Sequence, residues 1–275
     1  MVKTLIALPW VGEFGWELFS WQAVLRKAKI DGGFDKVICW TRPGREALYS
    51  DFAEVRLYDP KANASGYYLH DEDAEKKKKN QERVDSEIEK LVAEFTNDTD
   101  CSFISPGLCS DGVPYCDRPH IQKFITFGKK CDDKSYDVLI HGRNREYRDD
   151  ENWSSDNWKA LVSLLKKDKL SVATVGCKKD GLGIDGVDDL RGIPLSELVD
   201  YMASSKLIIG PSSGPMHLAS LCRCPHLVWS GSEPNRERYE TKWNPHNTDA
   251  YYLGEDTGGW HPDMYEVYKE IIRVL

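Results

Sequence analysis

Short apolar runs alternating with amphipathic stretches set the rhythm of this chain. Residues 3–9 carry Leu5, Ile6, Ala7 and Leu8 without interruption, the pattern of a strand covered on both faces. Trp10-Val11-Gly12-Glu13-Phe14-Gly15 follows as a glycine-punctuated loop. Across residues 16–29, Leu18, Trp21, Val24 and Leu25 recur at helical spacing, and residues 34–40 make a second strand. Residues 43–52 read as another helix. Strands alternating with helices in this way predict a parallel sheet with crossover helices.

The pattern then loosens. Tyr67-Tyr68-Leu69 reads as a short strand. Residues 70–95 read as a highly charged helix with Val84, Ile88, Leu91, Val92 and Phe95 as its apolar stripe. Its Lys76-Lys77-Lys78-Lys79 run reads as a solvated face or as a contact for an anionic acceptor. Residues 101–134, with Pro106, Gly107, Gly112, Pro114 and Pro119, read as irregular, and a domain boundary is placed near their end. The rhythm restarts with strands at 136–142, 170–176, 206–209 and 225–229 and helices at 155–166, 194–202, 216–222 and 261–275. The fold class is α/β, with two Rossmann-like doubly wound domains at 1–133 and 134–262. A last helix, 263–275, is expected to pack back on the first domain.

Composition narrows the setting. The formal net charge of −8 gives the chain as a whole no footprint for nucleic acid or an anionic membrane. No apolar run approaches the roughly 20 residues of a membrane helix, and the N-terminal stretch lacks a secretory pattern. Cys101, Cys109, Cys116 and Cys131 share one segment without the paired spacing of a zinc ribbon, while Cys39, Cys177 and Cys222 lie in or beside apolar stretches. The expectation is a cytoplasmic protein with reduced thiols.

Candidate chemistry concentrates at residues 209–221. An apolar strand ends in Gly210-Pro211-Ser212-Ser213, and Gly214-Pro215-Met216-His217 opens a helix. Hydroxyls of Ser212 and Ser213, free backbone N–H groups and the positive end of a helix dipole suit a phosphate or diphosphate. A structural junction with Ser213 as helix cap reads the same way. Arg143, Arg145 and Arg148, in the loop after residues 136–142, add positive charge or pair with Asp149, Asp150 and Glu151. Asp71-Glu72-Asp73 and Asp98-Thr99-Asp100 spell the Asp-x-Asp of metal-dependent sugar transferases. A helix terminus and arginines can neutralise a diphosphate instead, so no metal or cofactor is expected.

Four segments in order carry a family resemblance over about 110 residues. They are Ile140-His141-Gly142-Arg143 with Asn152-Trp153-Ser154 and Trp158; Asp189-Leu190-Arg191-Gly192 with Leu195-Ser196-Glu197-Leu198; Ser212-Ser213-Gly214-Pro215-Met216-His217-Leu218-Ala219; and Ser230-Gly231-Ser232-Glu233-Pro234. Together they resemble the donor-binding domain of glycosyltransferase family 9, the bacterial heptosyltransferases. The resemblance implies two Rossmann-like domains facing a cleft (GT-B), with a nucleotide-diphosphate sugar held by the C-terminal half and an acceptor by the N-terminal half. It implies donor contacts from Arg143, Arg145, Arg148 and Ser212 to His217, with His217 on the phosphate side or anchoring the helix. The nucleoside would lie against Gly176, Lys178, Leu190 and Arg191.

The family carries a Gly-Asp pair after its first strand. Here the loop reads Gly12-Glu13-Phe14-Gly15-Trp16-Glu17, so Glu13 or Glu17 is the candidate general base. The expected activity is inverting glycosyl transfer without a bound metal, onto a glycan, a lipid-linked saccharide or a hydroxylated DNA base. A nucleotide-sugar epimerase and a non-catalytic nucleotide-sugar binder are the alternatives. Oligomeric state is left open.

Overall fold

The computed structural model describes residues 2–60, 74–106, 117–146 and 148–275. The chain divides into two compact units, Met1–Phe124 and Ile125–Leu275. In the first, β1 (Thr4–Ala7), β2 (Lys36–Thr41), β3 (Glu54–Leu57) and β4 (Cys101–Ile104) form a sheet in the order β3-β2-β1-β4, every pair parallel. Central β1 is buried along its whole length, which is why it reads as an unbroken apolar run. Helix Ala74–Val92 lays Val84, Ile88 and Leu91 on Ile6, Val11, Ile38 and Trp40 of that unit's core.

Several expectations for this unit change. The helix foreseen at 16–29 is two helices, Phe14–Ser20 and Gln22–Gly32, broken at the fully buried Trp21 (φ −130°, ψ −61°). The helix foreseen at 43–52 shrinks to one 3-10 turn, Glu46–Leu48. Pro43 and a left-handed Gly44 (φ 86°) interrupt it, and the chain then extends as β3 to pair with β2. β4 lies in a stretch read as irregular, since its half-exposed Cys-Ser-Phe-Ile has no apolar run to betray it. Tyr67-Tyr68-Leu69, Asp71-Glu72-Asp73, Cys109 and Cys116 lie outside the described residues.

The second unit holds six parallel strands: β5 (Val138–Ile140), β6 (Val172–Thr174), β7 (Asp188–Asp189), β8 (Leu207–Pro211), β9 (His226–Trp229) and β10 (Ala250–Leu253). Their order, β10-β9-β8-β5-β6-β7, is the 3-2-1-4-5-6 order of a doubly wound dinucleotide-type sheet. Short β7 and the tyrosine-bearing β10 lacked the apolar run that announced the other four.

The unit boundary falls before residues 125–134, because that segment is stitched to the second unit. Phe127 N–H donates to Leu221 O at 2.9 Å, Lys129 N–H to Asp200 Oδ1 at 2.9 Å and Cys131 N–H to Ser204 Oγ at 2.8 Å. The last helix, Met264–Val274, belongs to this unit too. Its Val267 and Ile271 are buried in one cluster with Leu161, Leu165 and three tryptophans. Trp153, Trp158 and Trp229 pack with centroid separations of 4.7, 5.3 and 5.5 Å, and Trp153 Nε1 donates to Pro262 O at 3.0 Å.

That aromatic cluster braces helix Ser155–Lys167 against β5 and β9. Trp158→Ala should therefore cost about 3–5 kcal/mol, read as a shift in the urea midpoint of the second unit. A change below about 1 kcal/mol would show that the cluster does not carry this core.

Candidate functional site

In a doubly wound sheet the crevice opens beyond the carboxyl ends of the two strands where strand order reverses. Here those strands are β5 and β8, paired from Val138↔Leu207 to Ile140↔Ile209. The loop after β5 carries Arg143, and the one after β8 carries Ser212 and Ser213. Gly210 lets the two strand ends approach: a Cβ there would stand 2.5 Å from the His141 carbonyl oxygen.

The turn after β8 leads into helix Gly214–Leu221. Ser213 stands at the N-cap position, but its side chain makes no capping hydrogen bond, so the structural reading of Ser213 as a cap fails. Its Oγ is buried and has no hydrogen-bond partner among the described residues. Pro215 has no N–H to offer, and His217 N–H closes on Ser213 O at 3.1 Å. The backbone donors at the helix start are thus those of Gly214 and Met216, fewer than the four residues Gly214–His217 would suggest.

The three arginines converge on one carboxylate. Arg143 Nη2 lies 2.5 Å and Arg145 Nη2 2.8 Å from Glu151 Oε2, and Arg148 Nη1 lies 3.5 Å from Oε1. Burial raises the Glu151 carboxyl above its usual range, against the pull of Arg145 and Arg148. Arg143 is itself buried, donates from Nη1 to Ser212 O at 3.1 Å and lies 5.3 Å from the Trp260 ring centroid. It therefore ties the two crevice loops together. Nε of Arg143 and Nε of Arg145 are buried donors with no partner among the described residues. These two and Ser213 Oγ are polar atoms that the fold desolvates without satisfying.

One member of the site was missed in the sequence. Tyr239, fully buried, accepts the Ser213 N–H at 3.1 Å and donates to Ser212 Oγ at 3.2 Å. It lies 26 residues beyond Ser213 in the π-helical turn Arg238–Lys242, where no motif marks it. His217 stacks on its ring with centroids 4.1 Å apart and meets Trp243 edge-on at 4.7 Å. Burial, with Arg238 and His226 nearby, drives the His217 pKa well below the usual histidine value. His217 is thus packed between the Tyr239 and Trp243 rings.

The four nucleoside candidates lie beyond β6 and β7. Gly176 (φ 123°) and Gly192 (φ 81°) are in left-handed backbone, and Gly192 N–H donates to Gly176 O at 2.8 Å. The Lys178 stem runs beside Gly192, and Leu190 N–H donates to Thr174 O at 2.9 Å. Arg191 is committed within the protein, with two 2.8 Å contacts to Asp189 and one of 2.7 Å to Gly181 O. Its guanidinium ties the loop after β7 to Gly181.

Glu13 and Glu17, in the first unit, differ sharply. Glu17 is wholly buried, bound by Arg45, by Tyr49 Oη at 2.7 Å and by Thr41 Oγ1 at 3.4 Å. Its carboxylate is thus held within the protein. Glu13 is exposed at the N-cap of helix Phe14–Ser20, and its carbonyl accepts Trp10 Nε1 at 3.1 Å. Among the described residues no group of three His, Cys, Asp or Glu could hold a metal ion. Asp98 Oδ1 instead accepts the Asp100 N–H in a local turn. No helix among the described residues is long and apolar enough to cross a membrane.

No family model matches the chain. Lipopolysaccharide heptosyltransferase 1 of Salmonella typhimurium is 26% identical over 104 residues, 35% of this chain and only 32% of that enzyme. Solved structures match over nearly the whole chain. The E. coli heptosyltransferase WaaC with ADP superposes at TM-score 0.60 and 12% identity, covering 99% of both chains. The E. coli ADP-heptose heptosyltransferase II superposes at 0.63 and 15%, covering 99% of this chain and 98% of that one. A glycosyl transferase family 9 structure from Veillonella parvula gives 0.56 and 11%, covering 99% and 90%. The chain has the GT-B fold and resembles the family 9 heptosyltransferases.

Three buried histidines bear on stability. Burial lowers His141 and His226 to about 4 and His217 well below its usual value. Their unfolded values lie near 6.5, so between about pH 6.5 and 4 the unfolded chain binds protons that the folded second unit excludes. Stability should fall as pH drops through that window, by about 1 kcal/mol per pH unit for each histidine. Urea midpoints measured at intervals between pH 7 and pH 4.5 check this. A slope unchanged when His226 is replaced by Asn would contradict it.

Proposed function

We propose that this chain is a glycosyltransferase that moves a sugar from a nucleotide-diphosphate sugar to an acceptor hydroxyl with inversion and without a bound metal. The observation that carries the reading is the crevice between β5 and β8. There the Ser212–Ser213 turn, the start of helix Gly214–Leu221 and Arg143 meet, with Ser213 Oγ and two arginine Nε atoms unsatisfied. Breaking an anomeric C–O bond leaves charge on a diphosphate, and fixed donors in a desolvated crevice stabilise that charge as it forms. Two of the matched solved structures were determined with ADP or an ADP-linked fluoroheptose, so ADP is the first nucleotide to try, with an ADP-heptose as donor.

In this reading Glu13 is the general base. It is solvent-exposed, in a loop at the carboxyl end of β1, while Glu17 is consumed by Arg45 and Tyr49. A saccharide acceptor fits better than DNA. A DNA acceptor would draw on the Lys76–Lys79 run with Arg42 and Arg45, and Lys78 and Lys79 of that run are paired with Glu82 and Glu75 of their own helix.

A thermal-shift series with ADP, UDP, GDP and CDP should single out one nucleotide, which stabilises the fold by mass action. Glu13→Gln should then lower release of the nucleotide from its sugar conjugate by about 100-fold or more while the nucleotide binds as before. Turnover that survives in Glu13→Gln contradicts the assignment of the base, and indifference to all four nucleotides contradicts the donor site.

A further inference from the structure

The Tyr239 hydroxyl joins the core of the second unit to the turn after β8. Its ring is fully buried and stacks on His217 with 7° between the planes, while His226 tilts against it at 5.8 Å. Packing on these rings fixes where the phenol oxygen stands. Ser212 is only half-buried, so the pair runs from the core to the surface of the turn. A phenol carries one hydrogen to donate and can also accept. The Ser213 N–H can only donate, and it reaches the Tyr239 oxygen at 3.1 Å. The phenol hydrogen then has two acceptors in range, Ser212 Oγ at 3.2 Å and Ser213 O at 3.4 Å. Ser213 O already takes the His217 N–H at 3.1 Å. Ser212 Oγ is the nearer acceptor, and it has no other hydrogen bond among the described residues.

We propose, resting on the donor site read above, that Tyr239 is a positioning residue: by donating to Ser212 Oγ it leaves the Ser212 hydrogen for an oxygen of the donor's diphosphate. A hydroxyl oxygen that accepts one hydrogen bond becomes a stronger donor through its own hydrogen, because the two dipoles align. The same phenol occupies the Ser213 N–H. Tyr239 thereby decides which donors of the turn an anion meets, the Ser212 hydroxyl and not the Ser213 amide. Arg143 holds Ser212 from its other end, through the carbonyl at 3.1 Å, so both backbone and side chain of this residue are tied. Without the phenol oxygen the Ser212 hydroxyl turns freely, and the ligand must order it on binding, which costs affinity.

Calorimetric titrations of the full chain with ADP and with AMP, on the wild type, Tyr239→Phe, Ser212→Ala and the double variant, test this role. Phenylalanine keeps the ring and its packing and removes one oxygen. Tyr239→Phe and Ser212→Ala should each weaken ADP binding by about tenfold, the scale of one hydrogen bond to a charged group. The double variant should be weaker than either single one by no more than about twofold, because both changes break the same relay. AMP lacks the β-phosphate and should bind the wild type and every variant alike, an outcome that general damage to the fold would not give. ADP affinity unchanged in Tyr239→Phe, losses that multiply in the double variant, or an equal loss for AMP each overturns the proposal. Ser212→Ala that binds ADP like the wild type overturns it as well, whatever the fate of Tyr239→Phe. If the wild type binds ADP while one of these outcomes occurs, only the role of Tyr239 fails; if the wild type does not bind ADP, the donor reading fails and the proposal with it.

Discussion

The parallel pairing of β5 with β8 is the constraint on which the rest of the second unit depends. It places two loops side by side whose sequences lie about 70 residues apart, and Gly210 allows that approach because no Cβ intrudes on the His141 carbonyl. Arg143 then bridges them through the Ser212 carbonyl, and Tyr239 holds the Ser213 N–H from below. The turn is thereby held by hydrogen bonds at two successive residues. Preorganised donors cost no reorganisation when charge develops, and that is the basis of electrostatic stabilisation of a leaving group.

The charged groups show how position decides role. Glu17 and Glu151 are both buried carboxylates bound by arginine. Glu17 sits between Arg45 and Tyr49 with its oxygens taken, and its function is to hold the loop after β2 on helix Phe14–Ser20. Glu151 also gathers arginines, yet Arg143 and Arg145 keep Nε donors unsatisfied beside the crevice. A buried ion pair gives little net stability by itself, so neither cluster is explained by ion-pair strength alone.

Much of this was legible in the chain because buried parallel strands announce themselves as apolar runs. β1, β5, β6, β8 and β9 were all foreseen, and so was the turn that follows β8. The parts that escaped lack that signal. β3, β4, β7 and β10 lie toward or at the sheet edges, short or half-exposed, and look like loop. Tyr239 was hidden because tertiary folding alone brings a distant π-helical turn under Ser213. Spacing could not distinguish the surroundings of Glu13 and Glu17, since these depend on which one Arg45 and Tyr49 enclose. The unit boundary moved by about ten residues because hydrogen bonds to Leu221, Asp200 and Ser204, each more than 70 residues away, claim the segment for the second unit.

The proposed donor site stands or falls on whether the turn after β8, built with Arg143, holds a diphosphate. A crystal structure of the chain with ADP decides it. The β-phosphate is expected within hydrogen-bond distance of Ser213 Oγ and of the Gly214 or Met216 N–H, with Arg143 still joined to the Ser212 carbonyl. ADP bound elsewhere, with Ser213 Oγ unsatisfied, would contradict it.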